Sequence, residues 1–130
     1  FKRIRVRNLI KKLEKEGFNK KKFNLTINNL KSANKALEFY AKKNVLENSF
    51  FNSMKHNTVL SKNFFIQPNE IILRSITKVI QKISKNYYPP RGKSINSLII
   101  KIKSSKGIKR VTLGGCIFEK VNETVIIYKE

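Results

Sequence analysis

The first residues of the chain carry closely spaced cationic side chains. Lys2, Arg3, Arg5 and Arg7 open the sequence, and they include three of its six arginines. A guanidinium presents a planar fork of donors that matches a phosphate better than the point charge of a lysine does. Alternate residues of a helix point in different directions, so the cluster wraps around the helix. We predict phosphate contacts here; the alternative is a helix end that is simply exposed to water.

Further basic residues complete the predicted phosphate-binding set. Residues 104–110, with the sequence SSKGIKR, form a basic loop whose backbone amides also suit a phosphate. The residues predicted to contact phosphate are Lys2, Arg3, Arg5, Arg7, Arg74, Arg91, Lys109 and Arg110.

Two adjacent tyrosines precede a pair of prolines in the stretch NYYPPRGKS. Tyr87 and Tyr88, with Arg91 nearby, offer stacking rings and a guanidinium on a rigid loop, a combination that suits unpaired bases. Tyrosines before a proline turn also commonly cover the edge of a core. The sequence leaves both interpretations open.

The charge balance of the chain points to a polyanionic partner. Lys and Arg number 29 against 8 acidic residues, all of them Glu, which gives a net charge of +21. A folded body this positive repels itself, and nucleic acid is the commonest partner that neutralises such a charge. We therefore predict nucleic-acid binding. An anionic membrane surface and a merely basic domain are the alternatives.

Residues for catalysis or metal binding are scarce in the sequence. It contains no Asp, one histidine at His56 and one cysteine at Cys116, and no glycine-rich phosphate loop precedes a helix. We expect no catalytic, cofactor-binding or metal-binding residue in this chain, and we interpret Cys116 as a small core residue. With neither a long apolar run nor a signal-peptide pattern, the sequence predicts a cytoplasmic protein without a membrane-spanning segment. We expect no membrane partner.

Periodicity predicts about four helices. The first covers residues 2–16 and ends at Gly17, and the second begins near Phe23 and continues to about Phe51. The third follows Pro68, and the fourth is capped by Ser94 and stops near Gly107. Residues 56–68, HNTVLSKNFFIQP, break the helical period, and their apolar residues suit a strand or an extended packing segment before Pro68.

Beyond residue 107 the apolar period changes to two, which predicts a C-terminal β-hairpin with its turn at Asn122 and Glu123. Gly114 and Gly115 fall inside its first strand and indicate a bulge or a close backbone approach. The predicted fold class is therefore α+β, mostly α. We divide the chain into a basic linker helix with the long helix, residues 1–56, and a helical lobe ending in the hairpin, residues 57–130; one compact unit is the alternative.

The segments RVRNLIKKLEKEGF, YYPPRGKS and RVTLGGCIFEK, with VIIYKE at the end, together resemble bacterial tRNA(Ile)-lysidine synthetases in the region after their ATP-binding domain. The resemblance spans nearly the whole chain, and residues 112–116 are its most specific part. It implies that the tail is that family's small β-hairpin, in which glycines permit close packing and Cys116 is structural.

The resemblance also implies a function. Members of that family use ATP to adenylate the wobble cytidine of an isoleucine tRNA and then attach lysine to it. Their ATP loop, of the form SGGxDS, lies in an N-terminal domain that this sequence does not contain. The chain is thus expected to be the tRNA-binding, substrate-positioning part of such a ligase. Its partners would be tRNA and its own N-terminal domain, which would hold ATP and magnesium. The alternative is a freestanding basic RNA-binding module without enzymatic activity, similar in charge to a ribosomal protein.

Overall fold

A computed structural model describes residues 1–104 and 109–130, and packing divides the chain into two units, Phe1–Ala36 and Leu37–Glu130. The predicted basic loop therefore lies in part outside the described residues, namely at Ser105, Lys106 and Gly107, as does the predicted end of the fourth helix. The elements in chain order are α1 Lys2–Lys15, α2 Lys20–Asn48, β1 Ser49–Asn52, β2 Asn57–Leu60, a 3-10 turn Lys62–Phe65, α3 Asn69–Ser84, α4 Gly92–Lys103, β3 Val111–Leu113, β4 Cys116–Val121 and β5 Thr124–Lys129.

The first unit contains α1 and the beginning of α2, joined by a tight corner. Gly17 has φ +98°, a backbone conformation that glycine adopts readily and that ends α1 as predicted. Asn19 Oδ1 then accepts hydrogen bonds from the amides of Lys21 and Lys22, so it caps the start of α2. The rings of Phe18 and Phe23 pack across this corner with centroids 5.3 Å apart, as in a hydrophobic staple. No residue of α1 is buried.

The second unit is built on a five-stranded antiparallel sheet with the strand order β1-β2-β5-β4-β3. Buried residues alternate along β2 and β5, and the register aligns Thr58 and Phe118 on either side of Ile127. One face of the sheet is thus apolar, as period-two alternation requires. Helices α3 and α4 pack on this face, and the core they enclose includes Leu60, Phe64, Ile72, Ile76, Ile80, Ile95, Ile99, Cys116, Phe118, Val125 and Ile127.

The predicted fold class is confirmed, since the chain is α+β and mostly α, but the C-terminal part of the sheet differs from the predicted hairpin. Gly114 and Gly115 do not lie inside a strand: they form the turn between β3 and β4, with φ +61° and +79°. Glycine tolerates these positive φ angles, so the pair closes a second hairpin. The predicted turn at Asn122 and Glu123 connects β4 to β5.

Two further segments also differ from the sequence-based expectation. Helix α2 ends at Asn48, and residues 49–52 form edge strand β1, which pairs with β2. The β-prone residues Phe50 and Phe51 lie on this strand, opposite Val59 and Thr58 of β2. Residues 62–65 form a 3-10 turn that buries Phe64 completely. Strands β1 and β2 pair as one hairpin that spans the predicted domain boundary after residue 56, and packing divides the chain after Ala36. The division into residues 1–56 and 57–130 stays a prediction.

Candidate nucleic-acid interface

In the first unit, the predicted contacts Lys2, Arg3, Arg5 and Arg7 occupy the first two turns of α1, and all four are exposed. Residues 1–36 contain twelve Lys or Arg and two Glu, which leaves a net charge of +10. In the described part of the chain, none of these three arginines forms an ion pair. Their guanidiniums are therefore accessible to an external anion.

Three predicted contacts of the second unit lie on its surface. Arg91 precedes α4, and its side chain is exposed, as is that of Lys109. Arg110 lies close to Glu119, with Nε 3.8 Å from Oε1, and its guanidinium carbon is 5.9 Å from the centre of the Tyr128 ring. Because the Arg110 side chain is 62% exposed, water screens this pair strongly and leaves the guanidinium accessible to another anion.

Arg74 is in a different environment from the other predicted contacts. Its Nη1 lies 2.9 Å from Glu38 Oε1 and its Nε lies 2.8 Å from Glu70 Oε1, so its guanidinium links α3 to α2. Lys78 Nζ lies 2.6 Å from the other Glu38 oxygen. The hydrogen bond from Lys78, supported by Arg74, holds the pKa of Glu38 below its usual value despite partial burial. Arg74 therefore connects α2 and α3 through its ion pairs with Glu38 and Glu70.

The segment that follows α3 projects two aromatic rings into water. Tyr87 is 85% exposed and Tyr88 is 82% exposed, so neither ring covers the core edge. The rings pack edge to face with centroids 5.0 Å apart at an interplanar angle of 88°. The interpretation of Tyr87 and Tyr88 as core-covering residues, left open by the sequence, is therefore wrong.

The backbone beneath these rings is held at several points. Lys85 ends α3 in the left-handed conformation, with φ 58°, and its amide donates to Gln81 O. Gln81 Nε2 donates to Tyr87 O at 2.9 Å, and the amide of Asn86 donates to Ser84 Oγ at 3.2 Å. These hydrogen bonds connect the start of the loop to the last turn of α3. The loop backbone is therefore held in place, while both tyrosine rings remain exposed to water.

The turn between β3 and β4 supports the other side of this loop. A Cβ atom added at Gly114 would lie 2.6 Å from Pro90 Cγ and 2.8 Å from Ile80 Cγ2. The turn therefore approaches Pro90 more closely than any residue with a side chain would allow. The close backbone approach predicted from the glycine pair is present, and it holds Pro90, the second of the two prolines after the tyrosines.

A groove of about 590 Å³ lies beside the end of α3, and sequence reasoning did not identify it. Its floor is apolar, and includes Val79, Ile83 and Ile127. No carboxylate is among the described residues that line it. The basic side chains at its edge are His56, Lys82, Lys85 and Lys129. A sequence signal for this site is the pair of cations Lys82, in the last turn of α3, and Lys85, directly after it.

The potential metal ligands among the described residues do not resemble the clusters that hold metal ions, and the cysteine does not resemble a reactive thiol. No group of three or more His, Cys, Asp or Glu among them is arranged to hold a metal ion. Cys116 is fully buried, its Sγ lies 3.8 Å from Ile80 O, and burial raises the pKa of its thiol. A buried thiol with a raised pKa is a poor nucleophile. The interpretation of Cys116 as a core residue is confirmed.

The environment of Cys116 predicts slow chemical modification. At neutral pH we expect iodoacetamide to alkylate the folded chain at least about 100-fold more slowly than the urea-unfolded chain, because only the thiolate reacts and burial disfavours it. Mass spectrometry of timed samples measures both rates. Equal rates in the two states would contradict the buried position of Cys116.

Among the described residues, no helix combines the length and the apolar character needed to cross a membrane.

Comparison with known proteins finds two curated relatives that are similar to the whole chain. Over all 130 residues the chain is 28% identical to a protein named tRNA(Ile)-lysidine synthase from Wolbachia sp. subsp. Brugia malayi (strain TRS). It is 26% identical, again over its whole length, to the protein of the same name from Wolbachia pipientis wMel. The chain spans 30% of the length of each relative. No family profile matches it, and no solved structure is significantly similar. The similarity to lysidine synthases inferred from the sequence is confirmed by these two relatives.

Proposed function

We propose that this chain is the tRNA-binding, substrate-positioning part of a tRNA(Ile)-lysidine synthetase. The observation that carries the proposal is the similarity over the full chain to two proteins that bear the name of that enzyme. In the proposed whole protein, a ligase, ATP activates the wobble cytidine of an isoleucine tRNA and lysine is attached there. The name of both relatives favours this function over a freestanding RNA-binding module.

The chemistry of the chain fits binding better than catalysis. It supplies many cations and, in the parts that the structure describes, neither an accessible thiol nor a cluster of metal ligands. ATP and magnesium would be held by a separate N-terminal ATP-binding domain, which we propose as the intramolecular partner of this chain. The expected location of the whole protein is the cytoplasm, where its tRNA substrate is present.

We propose that exposed cations contact the tRNA backbone. The proposed contacts are Lys2, Arg3, Arg5, Arg7, Arg91, Lys109 and Arg110. Arg74 is not among them, because Glu38 and Glu70 bind its guanidinium; we propose that it stabilises the packing of α2 on α3.

The proposal predicts strongly salt-dependent tRNA binding by this chain. If at least four phosphates are neutralised, the release of their counterions should weaken the affinity about 100-fold between about 50 and about 200 mM salt. Fluorescence anisotropy with labelled tRNA at several salt concentrations measures this slope. The same preparation should neither hydrolyse ATP nor attach lysine, since its proposed role is binding.

The control is titration with potassium glutamate in place of chloride, which separates anion competition from counterion release. An affinity for tRNA that does not change over this range of salt would contradict the electrostatic basis of the proposal.

A further inference from the structure

We infer that Tyr87 and Tyr88 form a stacking platform for an unpaired base of the bound RNA. The inference rests on the proposed function, and it adds the kind of nucleotide that this part of the chain recognises. We define the platform as residues 85–93, which comprise the segment between α3 and α4 and the first two residues of α4.

The first argument is the exposure of the two rings. Leaving two large aromatic rings in water forgoes the free energy that burial would provide. Tyr87 and Tyr88 nevertheless are more than four-fifths exposed, while apolar side chains of the flanking helices, such as Ile80 and Ile95, are buried. The rings are therefore available for an external partner with a flat apolar face, which an unpaired base provides.

The second argument is preorganisation. Hydrogen bonds from Gln81 and to Ser84 fix the start of the platform, and Pro89 and Pro90 restrict the backbone after the rings. The turn at Gly114 then packs on Pro90. Because the backbone is already ordered, the stacking of a base on either ring does not cost the conformational entropy of ordering the loop.

The third argument is the charge of the surrounding sequence. Residues 71–118 contain eleven Lys or Arg and no Asp or Glu. Within the platform, Lys85, Arg91 and Lys93 are exposed cations. An aromatic pair in a segment without acidic residues suits a base joined to phosphates, since stacking and charge neutralisation then act on one ligand. An apolar peptide would use the rings but not the cations.

The edge-to-face geometry limits how a base can bind. Because the two ring planes are at 88°, a single base can stack flat on only one of the rings, and its plane is then perpendicular to the other ring. A base inside a duplex has both faces covered by its neighbours and cannot bind in this way. The platform should therefore select single-stranded segments over duplexes.

The test uses the whole chain, a labelled single-stranded oligoribonucleotide and the same strand annealed to its complement. We expect Y87A/Y88A to weaken single-strand binding about 10- to 100-fold, the range for losing one or two stacked bases, and to change duplex binding less than about threefold. Y87F/Y88F keeps both rings, so its affinity for the single strand should stay within about threefold of the unmodified chain.

The matched control is F39A/Y40A. Phe39 and Tyr40 also form an exposed edge-to-face pair, with centroids 5.4 Å apart at 84°, but they lie on a regular helix. The control should leave single-strand binding unchanged. An equal loss in both alanine variants, or an equal loss for single strand and duplex, would overturn the platform. Thermal melting checks that every variant is folded. We expect all of them to fold, because the substituted rings are exposed and do not contribute to the core.

The outcomes for the platform and for the proposed function are distinct. If the unmodified chain binds tRNA with strong salt dependence while Y87A/Y88A binds the single strand equally well, the platform is wrong and the proposed function stands. If the chain binds the single strand through the tyrosines but does not bind tRNA, the platform stands and the proposed function is wrong.

Discussion

Replacing Gly114 with alanine should destabilise the chain by about 2–4 kcal/mol, because the new methyl group adds overpacking to backbone strain. The added Cβ would lie within 3 Å of both Pro90 and Ile80. Ile80 is 1% exposed in the core, and Pro90 belongs to a rigid proline pair, so neither neighbour can move away cheaply. The φ angle of +61° adds the strain of a left-handed conformation.

The matched control for this prediction is the neighbouring glycine. Gly115 has φ +79°, but an added Cβ would lie 3.4 Å from Ser84 Cβ, an ordinary van der Waals distance. Gly115→Ala should therefore show the conformational strain alone, about 1–2 kcal/mol. Urea-induced unfolding of both variants measures the two losses. Equal losses would mean that the close approach to Pro90 contributes nothing.

The Gly114 turn also illustrates what the sequence could not reveal. The alternation of apolar residues continues through residues 111–118, so the sequence predicts that the glycine pair lies inside one strand. Whether two adjacent glycines form a bulge or a turn depends on which residues pair across them. Here Leu113 pairs with Cys116, which makes the glycines a two-residue turn. Periodicity carries no information about that pairing.

Helices were easier to predict than the sheet because their signals are local. The corner at Gly17, the start of α3 after Pro68 and the apolar face of α4 each depend on residues within a few positions of one another. Strand β1 depends on more distant residues. It pairs with β2, which in turn pairs with β5 through Val59 and Ile126, 67 positions further along the chain. No local pattern in residues 49–52 predicts that arrangement.

The candidate interface shows the same division. The excess of cations and the scarcity of acids can be counted in the sequence. Because few carboxylates are present to pair with them, the arginines of α1 are expected to be exposed, and they are. The ion pair of Arg74 could not be predicted, because Glu38 lies 36 positions away and only the packing of α2 on α3 brings the two together. The exposure of Tyr87 and Tyr88 likewise depends on where their loop lies in the fold.

Reversing the charge of Arg3, Arg5 and Arg7 to Glu should weaken tRNA binding about 100-fold or more, because three phosphate contacts become repulsive. The slope of log affinity against log salt should become shallower by about 2–3. The fold should tolerate the change, since α1 buries no residue.

The control for charge alone lies on the same helix. Lys11, Lys12 and Lys15 occupy its second half, and all three are exposed. Reversing these three lysines to Glu changes the net charge by the same amount. It should weaken tRNA binding clearly less, because we propose no specific phosphate contact there. Equal losses in both triple variants would indicate a general charge effect instead of contacts made by the arginines.

The most direct test of the central claim measures tRNA affinity and ATP affinity on one variant, R3E/R5E/R7E, in the longer protein that joins this chain to its proposed ATP-binding domain. We predict that the tRNA affinity falls about 100-fold or more while the ATP affinity stays within about twofold, because the substitutions affect the RNA surface and not the nucleotide pocket. Equal losses of tRNA and ATP affinity would contradict this account, since the arginine helix would then support the folding of the ATP-binding domain instead of binding tRNA.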